Sequence, residues 1–189
     1  MRTGIFGGSF DPIHFGHIKI AIKARSQYCL DKVIFSPLSS TWEQKSPPKA
    51  SPQHRIKMCR LALDKYEFFE VSCGDIKRGG ITRSINTVSD IIKETKNQGP
   101  IYLIIGEDSA YQINSWHKSK ELLSKAQIIV APRKSPEKGE INKEFNFINI
   151  DKIDVSSSTI RKNIKLKEKW DHFVAPNVFE YILENEVYK

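Results

Sequence analysis

Short apolar runs alternate along the chain with stretches whose apolar residues recur at helical spacing, a pattern that predicts strands and helices in turn. Residues 3–6 (TGIF) read as a first strand and residues 32–35 (KVIF) as a second. Between them a helix is expected from about Phe15, with Ile18, Ala21, Ile22 and Arg25 on its period. Ser51 before Pro52 predicts another helix start, with serine as the N-cap and proline in the first turn. Ile56, Cys59 and Leu63 then share one face of that helix. A third strand is expected over 68–72, and a helix over 87–94 with Val88, Ile91 and Ile92 turned inward. Residues 101–105 (IYLII), ending at Gly106, form the clearest buried strand, and 127–131 (QIIVA) form another that stops at Pro132. Residues 132–144 are charged and read as a surface excursion, 147–150 as a late strand, and helices begin near Ser157 and Pro176.

This order predicts an α/β fold, a Rossmann-like parallel sheet with helices on both faces and a small helical C-terminus. No composition shift divides the chain, so residues 1–189 are expected to form one domain. In such sheets ligands bind beyond the carboxyl ends of the strands, near the switch in strand order. Four segments at strand ends carry unusual chemistry: GGSFDPIHFGH, the stretch around ITRSINT, GEDSAYQINSW and DVSSSTIR. The long polar loop 37–52 is a candidate lid or binding segment on length alone.

Composition narrows the classes. The formal charge is +8, but the lysines are scattered rather than gathered in one basic arm. A phosphate-rich small ligand fits that distribution, and no nucleic-acid partner is expected. No apolar run reaches the roughly 18 residues a membrane span needs, so no membrane partner is expected. The start, MRTGIFGGSF, is too short and glycine-rich for a signal peptide, and a cytoplasmic location is expected. Cys29, Cys59 and Cys73 lie far apart without CxxC spacing, which argues against a disulfide framework or a zinc site.

The first segment carries the strongest chemistry. Gly7 and Gly8, directly after a strand, let the backbone approach a phosphate and supply amide donors, with Ser9 beside them. His14 and His17 are three apart, so at a helix start they project from one face. Imidazole N–H groups beside a helix N-terminus can hold polyphosphate oxygens, and Gly16 is expected to leave room for the nucleotide. Half of a metal site, or plain helix capping, would use the same two histidines. Near the other end, Ser156, Ser157 and Ser158 open a helix with Arg161 one turn in. Hydroxyls, amides and a guanidinium there suit a phosphate, although a serine-capped helix with a solvated arginine has the same sequence.

GGSFDPIHFGH together with VSSSTIR resembles the nucleotidyltransferase superfamily that carries the (H/T)xGH motif. IIGEDS, the tryptophan that follows it, the HRIKM segment and the ending APNVFEYILENEVY resemble the bacterial nicotinate-mononucleotide adenylyltransferases over nearly the whole chain. The resemblance implies a single nucleotidyltransferase domain that joins ATP to nicotinate mononucleotide, giving nicotinic acid adenine dinucleotide and pyrophosphate, with Mg²⁺ carried mainly by the ATP phosphates. It implies that His14, His17 and Arg161 act on the phosphates, with Ser157 and Ser158 beside the distal ones. Gly106 and Asp108 would meet a ribose, Arg133 would line the adenine side, and Trp116 would stack on the pyridine ring. For Trp116 an ordinary packing role is the competing reading. A homo-oligomer is compatible with the resemblance.

Two departures fall where the acceptor is expected. The family usually has Ser-Tyr-Thr before Asp-Thr, whereas this chain reads Thr82, Arg83, Ser84, Ile85, Asn86, Thr87. The earlier loop reads SSTWEQKSPPK where members often carry PPHK. A nicotinate carboxylate would meet backbone amides near Arg83 and Ser84 with added charge from Arg83; acceptance of the amide, nicotinamide mononucleotide, is the alternative. Phosphopantetheine adenylyltransferases share the histidine motif but not the tryptophan.

Overall fold

The computed structural model describes residues 1–41, 46–132, 141–151 and 153–189. Neighbouring residues on the central strands point to opposite faces of one sheet, and both faces are covered. Ile5, Ile34, Leu103, Ile105, Ile128 and Val130 enter one apolar cluster, while Phe6, Phe35, Ile104 and Ile129 enter the other. This two-sided burial is why the strands read as unbroken apolar runs.

In chain order the elements are β1 (Thr3–Gly8), α1 (Phe15–Gln27), β2 (Lys32–Pro37), α2 (Pro52–Leu63), β3 (Phe69–Val71), α3 (Gly74–Arg78) and α4 (Ser84–Thr95). Then come β4 (Ile101–Gly106), α5 (Glu107–Gln112), α6 (Ser119–Lys125), β5 (Gln127–Ala131), β6 (Asn146–Phe147), α7 (Ser157–Leu166) and α8 (Pro176–Glu184). Among the described residues the sheet has six strands in the order β3-β2-β1-β4-β5-β6, and all pairings are parallel. The order reverses between β1 and β4, so the crevice beyond Gly8 and Gly106 is the natural ligand position. No helix among the described residues is long and apolar enough to cross a membrane.

Local signals explain most boundaries. Ser51 caps α2 by accepting from the His54 amide at 3.3 Å, with Pro52 in the first turn, as the sequence predicts. Helix α4 starts earlier than expected, at Ser84 with Arg83 as N-cap, so the segment where the acceptor is expected is itself a helix N-terminus. The late strand is shorter than predicted. Beyond Phe147 its backbone turns to a side chain of α1: the Asn149 amide donates to Gln27 Oε1 at 2.9 Å, and Gln27 Nε2 donates to the Phe147 carbonyl at 2.8 Å.

Two predicted faces are rotated. Ile22 is 39% exposed, because Gly16, Ile18, Ile20, Ala21 and Ala24 form the buried stripe of α1. On α2 the buried set is Arg55, Met58, Cys59, Ala62 and Leu63, with Ile56 only half-buried. An arginine thus holds a place that periodicity assigns to an isoleucine.

Candidate active site

A cleft of about 460 Å³ opens at the carboxyl ends of β1, β2 and β4. Gly7, Gly8 and Ser9 form its floor beyond β1, and His17 reaches it from the first turn of α1. Thr82, Arg83 and Ser84 line it at the start of α4, and Gly106, Asp108 and Trp116 line it from the β4 side. A side chain on Gly7 or Gly106 would meet nothing within 4 Å, so both backbones are open to a ligand.

His17 is held on several sides. Its ring stacks on His14 with centroids 3.8 Å apart and packs edge-on against Phe10 at 5.1 Å and Phe6 at 6.0 Å. The His14 amide donates to His17 Nδ1 at 3.2 Å, which makes Nε2 the protonated nitrogen of the neutral ring. A fixed N–H donor on a packed ring at a helix N-terminus suits an anion. His14 itself is buried, 3% exposed, and does not line the cleft; it supports His17 from beneath.

Gly16 has a different role from the one its sequence suggests. A Cβ there would meet Ile153 Cγ2 at 2.7 Å and the His14 ring at 2.9 Å. The space is already filled by protein, so the missing side chain admits the segment leading to α7 rather than a nucleotide.

That segment brings the second cluster to the first. Ser157 Oγ donates to the Pro12 carbonyl at 2.9 Å, and Arg161 Nη1 donates to the Asp11 carbonyl at 2.6 Å. Ser156 caps α7 by accepting from the Thr159 amide at 3.1 Å. Ser157 and Arg161 are half-buried and Ser158 is exposed. These three residues adjoin the histidine loop but lie outside the lining of the cleft. Arg161 spends one nitrogen on Asp11, and a guanidinium has further donors for a phosphate. Arg133 and residues 42–45 of the long loop lie outside the described residues.

Asp11 is a structural hub. Its carboxylate accepts from the Lys49 amide at 2.7 Å, the Ala50 amide at 2.9 Å and the Tyr188 hydroxyl at 2.8 Å, with Arg161 Nη1 at 3.5 Å. Burial, then the adjacent Asp11 charge and hydrogen bond, push the Tyr188 hydroxyl well above the ordinary tyrosine range, so it stays a proton donor. Asp75, 2% exposed, ties β2, α3 and α4 together. It accepts from Ser36 Oγ at 2.9 Å, Thr87 Oγ1 at 2.9 Å and Arg78 Nη2 at 2.8 Å.

Sequence reasoning missed Asp75, Arg55 and Tyr188 because charged and polar groups are expected at the surface. For Arg55 a signal existed: an arginine within the apolar period of α2, between Ser51 and the run from Met58.

Comparison with known proteins places this architecture. A family described as cytidylyltransferase-like matches residues 5–163. A protein of Carboxydothermus hydrogenoformans named "Probable nicotinate-nucleotide adenylyltransferase" is 33% identical over 199 residues, covering 100% of this chain and 98% of its own. One of the same name from Methylacidiphilum infernorum is 35% identical over 190 residues, covering 99% and 92%. Among solved structures, Plasmodium falciparum nicotinic acid mononucleotide adenylyltransferase complexed with NaAD has the same fold, with a TM-score of 0.78 at 20% identity, covering 99% of this chain and 97% of that one.

Proposed function

The chain belongs to the cytidylyltransferase-like family and, within it, to the nicotinate-nucleotide adenylyltransferases, and from that premise we propose how its residues carry out adenylyl transfer. It is a nucleotidyltransferase of NAD biosynthesis: AMP passes from ATP to nicotinate mononucleotide, giving nicotinic acid adenine dinucleotide and pyrophosphate. The observation that carries the residue assignment is the joining of α7 to the histidine loop through Ser157–Pro12 and Arg161–Asp11.

No side chain acts as a nucleophile. An oxygen of the acceptor's own phosphate attacks the α-phosphorus of ATP in line, the bond to the β-phosphate oxygen breaks, and pyrophosphate leaves with that electron pair. The chain's work is alignment and charge stabilisation. The backbone of Gly7, Gly8 and Ser9 receives the phosphates, and His17 Nε2–H donates to an oxygen on which charge builds. His14 stacks on the His17 ring and fixes it beside the phosphates. The first-turn amides of α7 at Ser157 and Ser158, with Arg161, hold the distal phosphates. Gly106 and Asp108 meet a ribose, and Arg133 is assigned to the adenine side.

The pyridine nucleotide lies toward α4. Thr82, Arg83 and Ser84 offer a helix N-terminus and a guanidinium to the nicotinate carboxylate, and half-buried Trp116 offers a face for the ring. A carboxylate at this place gains from both the dipole and the charge, which favours the acid over its amide.

Among the described residues, no group of three or more His, Cys, Asp or Glu is placed to hold a metal ion, and the Asp11 and Asp75 carboxylates are committed to protein donors. Mg²⁺ would be held by phosphate oxygens and water and would neutralise phosphate charge there; no side chain is assigned as its ligand.

Pyrophosphate release from ATP, measured with nicotinate mononucleotide, nicotinamide mononucleotide and phosphopantetheine in parallel, tests the reading. The acid is expected to react best and phosphopantetheine not at all; turnover with phosphopantetheine alone would overturn it.

A further inference from the structure

Arg55 is 1% exposed, and its guanidinium spends its donors on carbonyls. Nη1 donates to Ser9 O at 2.9 Å, Nε to Ala50 O at 3.3 Å and Nη2 to Ser39 O at 3.5 Å. The three carbonyls belong to three separate segments. Ser9 follows β1 on the way to the histidines, Ser39 follows β2, and Ala50 leads into α2.

Ser39 continues the path to the acceptor side. Its amide donates to Thr82 Oγ1 at 2.9 Å, and the Thr82 amide donates to the Ser40 carbonyl at 3.1 Å. Ser40 and Ile81 form a parallel bridge. From the phosphate side, the Leu38 amide donates to the Gly8 carbonyl at 3.0 Å. Asp11 grips the Lys49 and Ala50 amides.

We infer that Arg55 is a positioning residue that sets the spacing between the two reactants, clamping the phosphate-binding turn at Ser9 to the strap that carries Thr82. The inference rests on the adenylyl-transfer reading and adds a residue that touches neither substrate. Burial pulls the Arg55 pKa down from its ordinary value, with the Asp11 charge opposing that. An expensive buried charge is a weak source of stability; here it fixes three segments in one register. A lysine keeps the charge but, as a single point donor, cannot span three diverging carbonyls.

The test is Arg55→Lys in the full chain, with steady-state kinetics on both substrates, thermal melting and kcat expressed per folded molecule. Misalignment of two bound reactants lowers turnover without weakening either one's binding. The expected result is therefore kcat lower by about 100-fold with both KM values within about threefold of wild type. A purely structural role would lower the melting temperature and leave kcat per folded molecule intact, which would overturn the inference. Should the lysine variant not fold, Arg55→Gln, which keeps two donors without the charge, must give the same split. A raised acceptor KM with kcat retained would overturn the inference there too. Wild-type turnover in the same assay separates the two levels: its absence counts against adenylyl transfer itself, its presence with an unchanged variant against Arg55 alone.

Discussion

The hydroxyl of Ser157 donates to the carbonyl of Pro12 at 2.9 Å, joining positions 145 residues apart. Together with the Arg161–Asp11 bond, it fastens the N-terminus of α7 against the loop that ends in His14 and His17. Two helix N-termini, one from each end of the chain, thereby adjoin, and each offers first-turn amides and a partial positive charge. A triphosphate is the ligand that such a pair suits.

In the proposed mechanism His17 donates to an oxygen on which charge builds, so His17→Ala is expected to lower kcat by about 10²- to 10³-fold. Loss of the ring's packing against His14, Phe10 and Phe6 is expected to lower the melting temperature by a few degrees without unfolding the chain. Steady-state kinetics with circular dichroism check both; an unchanged kcat removes His17 from the reaction.

Trp116 lines the cleft from the β4 side and is assigned to the pyridine ring. Trp116→Ala is expected to raise the KM for nicotinate mononucleotide about tenfold or more, as loss of one stacked ring does, with the ATP KM little altered. Equal loss for both substrates would assign the indole to packing.

Arg83 stands where the family pattern has no positive charge. Arg83→Ala should lower the ratio of kcat/KM for the acid over the amide by about tenfold, through loss of a charge-assisted contact. An unchanged ratio would transfer recognition to the backbone amides at the start of α4.

Periodicity and strand-end chemistry carried the α/β architecture because the central strands are buried on both faces and read as apolar runs. The short helices α3, α5 and α6, of 5, 6 and 7 residues, span too few turns to print a period. Arg55 interrupts the apolar period of α2, but only its three carbonyl partners, 5 to 46 residues away, explain why a cation is buried there. Gly16 reads in the sequence as room for a nucleotide, whereas protein fills that space. The loop motifs gave residues that line or adjoin the cleft, while the supports beneath them depend on contacts the sequence separates widely.

Tyr188 shows the same limit, with its hydroxyl on Asp11 across 177 residues. Tyr188→Phe removes one hydrogen bond to a buried carboxylate, a loss of about 2 kcal/mol. The expected melting shift is a fall of roughly 4–8 °C. No shift would mean that the bond adds nothing to the hub at Asp11.

The most direct measurement is a crystal structure of the chain with a non-hydrolysable ATP analogue. The expected complex has phosphate oxygens within hydrogen-bond distance of both His17 Nε2 and the Ser157 and Ser158 amides or the Arg161 guanidinium. A triphosphate that meets only one of these two clusters, with the other facing solvent or protein, would contradict the shared grip on which the assignment of residues depends.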